Sequence, residues 1–293
     1  MTLDIMMPFY GRFDHFRTAV LSVLAQTDPD WRLVVVDDVY PDTAPGEWLQ
    51  SLGDDRIVYL RNERNLGVSG NFDRCIELVT AERCVLMGCD DELLPEYVAR
   101  MATIAARFPD VDLIQPGVEV IDETGQVVRP LGDRIKALLR PAAPEPVQLA
   151  GERLTASLLR GNWAYFPSVC WRVESVRRFG FRADLHVVQD LALMMEIFRA
   201  GGTLVLDDTT VFRYRRHSGS VSSYTAVDGK RFQQERTVFA EEAARQAALG
   251  WNRASRVARA HITSRLNAAL QLPKAALARD TAGLRILLRH TFA

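Results

Sequence analysis

Two adjacent carboxylates, Asp90 and Asp91, end the apolar run of "LMGCDDELLP" and stand just before a helical pattern. Hard divalent cations such as Mg2+ and Mn2+ take oxygen ligands, commonly one or two carboxylates, with water and substrate phosphates completing the shell. The pair has that chemistry. It also has the chemistry of a helix start, where an acid caps free N–H groups and suits the positive end of the dipole. Asp37 and Asp38 end a second apolar run, and Asp190 follows Gln189 ahead of the apolar "LALMMEIF". Asp190 reads either as a general base or as an N-terminal cap. His217 follows "FRYRR" and precedes small hydroxyl residues; its imidazole could meet a metal or a phosphate oxygen, or be an ordinary loop group. His15, His186, His261 and His290 stand in no comparable context.

Elements must carry these groups to one place. Leu3 to Met7, Leu33 to Val36, Arg56 to Leu60 and Cys84 to Met87 read as strands. Phe13 to Gln26 and Ser69 to Val79 read as helices, and Pro95 fits the first turn of another running to about Phe108. Such alternation predicts an α/β fold with a mostly parallel sheet covered on both faces. Ligands of such sheets bind beyond the carboxyl ends of the strands. "PFYGR", Asp37 and Asp38, "RNERNLGVSGN" and "GCDDE" all fall at such ends, so four loops should face one crevice.

After Val111 the pattern changes. A longer strand, "VDLIQPGVEVID", leads into "RPLGDRIKALLRPAAPEPVQ", which reads as a mobile surface excursion. A short helix around Leu154 to Leu159, the aromatic "GNWAYFPSVCW", and two strands, "TLVLD" and "VFRYRRH", follow. From Gly229 onward the chain is rich in Ala and Arg at helical spacing.

Composition sets limits on partners. The 293 residues are 48% hydrophobic and 25% charged with a net charge of -1, so no global basic field points to nucleic acid. Cys75, Cys84, Cys89 and Cys170 lie in apolar patterns without a C-x-x-C pair, as reduced core residues do. The opening "MTLDIMMPFY" enters a strand at once and no run approaches membrane-spanning length. A cytoplasmic protein is the expectation.

The ordered set of motifs resembles the inverting glycosyltransferases of family 2, which have the GT-A fold. "MMPFYGRFDHFRTAVLSVLAQTDPDWRLVVVDD" matches the family's opening, "RNLGVSGNFDRC" its N-x-G segment, and Gln189-Asp190 its acceptor-site acid motif. Arg215, His217, Ser220 and Ser222 match its closing R-x-H motif. The resemblance implies a nucleotide-sugar-binding half over 1–110, an acceptor-binding half over 111–228 and a helical extension over 229–293. It implies that Pro8, Phe9 and Tyr10 line the base site, with Tyr10 able to stack on a pyrimidine and Arg12 near ribose or phosphate. Asp38 would accept a hydrogen bond from base or ribose, and Asn65, Gly67 and Asn71 would shape the loop beneath; turn and core roles are the plain alternatives. Asp91 would hold Mn2+ or Mg2+, with Asp90 on the metal or the ribose and His217 near the diphosphate. Gly88 departs from the pattern, standing where many members have the first aspartate.

The activity so implied is inverting transfer of one sugar from a UDP- or dTDP-sugar to a hydroxyl acceptor, with Asp190 as base. The acceptor could be a glycan, a glycolipid or a natural-product aglycone. Absence of a "QxxRW" motif after Asp190 points to single additions. Gln189 and Trp163 would face the acceptor, though core packing suits the aromatics equally. An inactive nucleotide-sugar-binding or scaffold protein of the same fold is the alternative. The basic C-terminal segment could lie on the inner face of a membrane or form a homodimer.

Overall fold

The computed structural model describes residues 1–185, 187–217 and 230–292. Ser220, Ser222 and the boundary at 228 and 229 fall outside these. Strands β1 (Leu3–Phe9), β2 (Trp31–Asp37), β3 (Ile57–Arg61) and β4 (Arg83–Leu86) run parallel in the order β3-β2-β1-β4. Helices α1 (Phe13–Leu24), α2 (Ala44–Ser51) and α3 (Gly67–Leu78) connect them. Strand residues point alternately to opposite faces. Leu3, Ile5, Met7 and Phe9 of β1 therefore enter one core with Leu33, Val35 and Val85, while Met6, Val34, Val36, Cys84 and Leu86 enter the other. Because both faces are covered, β1 and β2 read as apolar runs broken inside only by the paired Asp4 and Arg32. Three of the four thiols, Cys75, Cys84 and Cys170, are buried and all four are free; burial pushes that of Cys170 up to about 12.

The acids that end β4 do not start a helix. A short strand, β5 (Glu92–Leu93), intervenes, and α4 (Tyr97–Arg107) begins after Glu96, two positions later than Pro95 implies. Beyond it come β6 (Leu113–Ile121), α5 (Leu131–Leu139), β7 (Val147–Ala150), α6 (Gly151–Gly161), β8 (Cys170–Arg172), α7 (Val173–Phe179), α8 (Gln189–Arg199) and β9 (Thr203–Arg215). The sheet continues as β4-β8-β6-β9-β5. β8 is antiparallel to β4 and to β6, and β9 is parallel to β6, so β6 and β9 end at the same edge as β1 to β4.

Two expectations fail here. The Pro-rich excursion is not loose: it folds as α5 and as β7, which pairs with β9. The two strands predicted before His217 are one strand of 13 residues, β9. Asp208, in the gap between the two predicted strands, stays in β9 with its neighbour Asp207, and each has a guanidinium partner. Arg100 holds the fully buried Asp207 through two bonds of 2.8 Å, and Arg140 pairs with Asp208.

The C-terminal helices are α9 (Lys230–Ala248), α10 (Asn252–Ala260), α11 (Ile262–Leu277) and α12 (Thr281–Phe292). Phe232, Ala268, Ala275 and Leu287 form a small core between α9, α11 and α12. Beside it the Ser264 hydroxyl lies between the Glu235 carboxylate and His290 Nε2, the latter at 2.7 Å.

Asp4 pins the opposite edge of the sheet from the polar loops. Its carboxylate, 1% exposed, accepts from Arg32 at 2.9 and 2.7 Å and from the N–H groups of Thr80 and Ala81 at 2.6 and 3.0 Å. Burial works against its charge, but Arg32 and the two N–H groups hold the carboxyl below its ordinary 3.8. A depressed carboxyl stabilises the fold above the unfolded value and loses that effect as pH falls through the folded one. Asp4→Ala, which strands Arg32 and both amides, should cost about 3 kcal/mol at pH 7 by urea unfolding. The gap to wild type should close as the pH is taken below the ordinary 3.8 of a free carboxyl.

Candidate active site

The carboxyl ends of β1, β2, β3, β4, β6 and β9 share one edge, and their loops carry most of the polar residues singled out above. At the centre is Asp91, 1% exposed. Its Oδ1 accepts the backbone N–H of Arg215 at 2.9 Å, whereas Oδ2 is buried without a partner. Burial pushes the Asp91 carboxyl well up, and the neighbouring charge of Asp90 adds to the rise. Gly88 makes room for this arrangement: a Cβ there would lie 2.6 Å from Asp91 Oδ2 and 2.8 Å from Asp90 Oδ1. Asp90 Oδ2 meets His217 Nε2 at 2.7 Å, and that bond raises the imidazole pKa.

Arg215 organises the loop. Buried at 4% exposure, it donates through Nε to the Asp90 carbonyl at 2.7 Å, pairs with Glu92, and donates to the carbonyl of Asp122 at 3.0 Å. Its side chain thus joins the ends of β4 and β9 to the turn after β6. A divalent cation fits the residues present by two observations: a buried carboxylate oxygen lacks a partner, and the space at Gly88 lets both acids turn inward. Asp91 and Asp90 would hold it, with His217 beside them. No group of three His, Cys, Asp or Glu forms a ready-made cage among the described residues, which suits a cation whose shell a diphosphate would complete.

The β1 side separates the predicted base-site residues. Tyr10 is 55% exposed and stands edge-on to Tyr40, leaving a ring face open. Pro8 is half-buried in β1. Phe9, however, is fully buried against Phe16 and Tyr40, so its predicted place in the lining is corrected to core. Arg12 is exposed and clamped between Asp14, at 3.0 and 2.5 Å, and Glu123.

Asp38 also differs from expectation. At 3% exposure it accepts from Leu66 N–H at 2.7 Å, Gly67 N–H at 2.9 Å and Asn62 Nδ2 at 2.9 Å. Its carboxylate shapes the loop after β3 instead of facing outward to a base. Asn65 supports the same loop through the Asp38 carbonyl at 2.9 Å. Gly67 has φ +71 and nothing within 4 Å of a Cβ, so the backbone angle, and not close approach, requires glycine. Asn71 is buried and donates to the Val36 carbonyl at 2.9 Å.

Asp190 lies in the first turn of α8. Burial raises its pKa, opposed by the Leu191 N–H, the charge of Lys136 and a hydrogen bond from the Asn162 side chain. Asn162 caps α6 with φ 33 and ψ 62, a left-handed conformation that asparagine tolerates better than most residues. Lys136 donates to the Ala164 carbonyl at 2.9 Å with its ammonium 4.4 Å from the Tyr165 ring centre. Burial, and Arg216 next, lower its pKa to about 8. Arg216 grips Asp133 at 2.6 and 2.8 Å, and Tyr165 donates to the same carboxylate at 2.9 Å.

Lys136, Asp133, Arg216 and Asn162 are absent from the sequence-based site. Only Asn162 left a trace, as a G-N pair ending a helical pattern; the others depend on α5, which the Pro-rich composition concealed. A groove of about 800 Å3 between α5 and β6 is lined by Asp133, Lys136, Arg140 and Tyr165. The acceptor wall predicted from Trp163 and Gln189 is corrected. Trp163 borders the groove without exposed surface, its indole N–H donating to Ser157 at 3.0 Å, and Gln189 is 5% exposed with Oε1 unpartnered inside.

Parallel strands thus end in an acid pair, Asp91 buried and Asp90 half-buried, with the exposed ring of Tyr10 on a loop at the same edge. The family model described as "Glycosyl transferase family 2" matches residues 4–163, and the chain belongs to that family. The uncharacterized glycosyltransferase YibD of Escherichia coli strain K12 is 24% identical over 240 residues, 80% of this chain and 67% of that protein. The uncharacterized glycosyltransferase MJ1057 of Methanocaldococcus jannaschii is 23% identical over 130 residues, 43% of this chain. The chain spans 45% of MJ1057 and 34% of an uncharacterized glycosyltransferase of Rickettsia conorii. S. aureus TarS 1-349, solved in complex with UDP-GlcNAc, superimposes with TM-score 0.65 at 15% identity, covering 98% of this chain and 90% of that one.

Burying the Asp91 carboxyl beside Asp90 costs stability. Its raised pKa means that the ionised carboxylate disfavours folding at neutral pH. Asp91→Asn retains an Oδ1 acceptor for Arg215 and removes that charge, so without divalent cation it should raise stability by about 1 kcal/mol at pH 7 in urea unfolding. The same variant should lose any stabilisation that Mn2+ with a nucleoside diphosphate gives the wild type. A drop in stability would show that the carboxylate is structurally required.

Proposed function

We propose that this chain is an inverting, non-processive glycosyltransferase that moves one sugar from a UDP- or dTDP-sugar to a hydroxyl acceptor. The observation that carries this reading is the unpartnered Asp91 oxygen, buried beside Asp90 where six strand ends meet. A purely structural acid would be satisfied by its neighbours. UDP-GlcNAc in the TarS complex supports a uridine donor.

In this scheme Tyr10 stacks on the pyrimidine and Arg12 exchanges Glu123 or Asp14 for a donor oxygen. Asp91 and Asp90, with His217 beside them, would hold Mn2+ or Mg2+, which would supply positive charge to the leaving group. The acceptor enters along the groove between β6 and α5. As its hydroxyl oxygen bonds to the anomeric carbon, the bond to the diphosphate oxygen breaks on the opposite face and Asp190 takes the hydroxyl proton. Asn162 and Lys136 favour the ionised form that can take it. Asn162 aims the carboxylate, and Lys136 supplies charge without donating a proton to the substrate.

Gly88 supports this reading instead of weakening it, since its missing side chain is what admits both carboxylates. Asp190→Asn should bind donor as the wild type does, by thermal shift with a panel of nucleotide sugars and Mn2+, while nucleotide release coupled to transfer falls about 10²–10⁴-fold. Undiminished transfer by this variant would sink the assignment of the base. Transfer needs ionised Asp190, so activity should fall as pH drops through a value above the ordinary 3.8 of a carboxyl. Lys136→Met removes a charge that favours ionisation and should move that acid limb of kcat/KM to higher pH; an unmoved limb would show that Lys136 does not act on the base.

A further inference from the structure

Helix α11 presents two apolar faces. One, with Ala268, Leu272 and Ala275, packs against α9 and α12. The other carries Ile262, Leu266, Leu270 and Leu277, which are 62%, 60%, 57% and 86% exposed. Their spacing of four, four and seven residues keeps them on one stripe of a helix with 3.6 residues per turn, and the exposed Pro273 falls on the same stripe. Arg265 and Lys274 project along its two flanks. A soluble surface seldom carries so continuous a row of large side chains.

The surrounding charge is of one sign. Between 251 and 293 the chain has eight Arg and Lys residues and a single acid, Asp280. Arg253, Arg256, Arg259, Lys274, Arg279, Arg285 and Arg289 are exposed, and none pairs with a carboxylate among the described residues. Elsewhere acids are interspersed, and arginines such as Arg100, Arg140, Arg182 and Arg216 pair with them. Among the described residues no helix is long and apolar enough to cross a membrane.

We infer that the outer face of α11, with its flanking arginines and lysine, docks on an anionic lipid surface. The apolar stripe would enter the boundary between headgroups and acyl chains, and the cations would meet the headgroup phosphates. A second copy of the chain suits this face poorly, because an isologous contact would bring the same unpaired cations against each other. Docking of this kind needs nothing from the transfer chemistry.

Co-sedimentation of the full chain with vesicles tests it. Vesicles with about 30 mol% phosphatidylglycerol should carry down at least ~5-fold more protein than pure phosphatidylcholine, and the excess should shrink at high salt. Leu266→Ser with Leu270→Ser should abolish sedimentation, and Arg265→Gln with Lys274→Gln should weaken it. Both pairs lie on the surface, and unchanged melting curves would verify the fold. Equal sedimentation with neutral vesicles, or none with anionic ones, overturns the inference. So does a dimer in light scattering that the paired serine variant dissociates while vesicle binding stays absent.

Discussion

A negative charge held out of water beside another one is the constraint around which this molecule is arranged. Two carboxylates cannot sit together in a dry pocket without compensation, because desolvation and mutual repulsion both oppose the ionised forms. The fold compensates one oxygen of Asp91 with a backbone N–H and leaves the other open. Holding that state requires rigid walls. Arg215 provides them by bonding to the backbone of Asp90 and Asp122 and to the side chain of Glu92, so three chain segments distant in sequence become one rim.

The same strand that delivers Arg215 also connects the two halves of the candidate site. β9 pairs with β6, β7 and β5 and ends in Arg215, with Arg216 and His217 directly after it. Arg215 and His217 act on the acid loop, while Arg216 reaches Asp133 on α5. Alternation along an extended chain sends neighbouring residues to different sides, so one segment addresses both. The ion pairs along β9, Arg100 with the buried Asp207 and Arg140 with the half-buried Asp208, keep that segment in register despite its acidic middle.

What the sequence discloses follows from how much of an element is buried. β1 to β4 are apolar on both faces, which leaves an unmistakable run, and the polar residues at their ends stand out against it. The alternation that makes strands visible does not say which end residue turns inward, and so Phe9 and Trp163 looked like lining when they are core. α5 carries Leu131, Ile135 and Leu138 at helical spacing but exposes them and buries Asp133, and the prolines around it make the segment read as a loop. Tyr165 and Arg216 meet Asp133 of that helix and Lys136 brings its charge to Asp190, and all of these meetings are tertiary. Asp38 shows the opposite failure: the residue was visible, but its obligations to three donors of the neighbouring loop were not.

Gly88 has an implication for how acid motifs in this fold compare with one another. A side chain at 88 and the inward carboxylate oxygens of Asp90 and Asp91 claim the same few cubic ångströms, as the short distances to a hypothetical Cβ show. On this backbone a side chain at 88 could enter only if the carboxylates of Asp90 and Asp91 turned aside. Adding an acid at that position therefore redirects the two already there, and counting carboxylates along the chain does not count the charges a ligand meets.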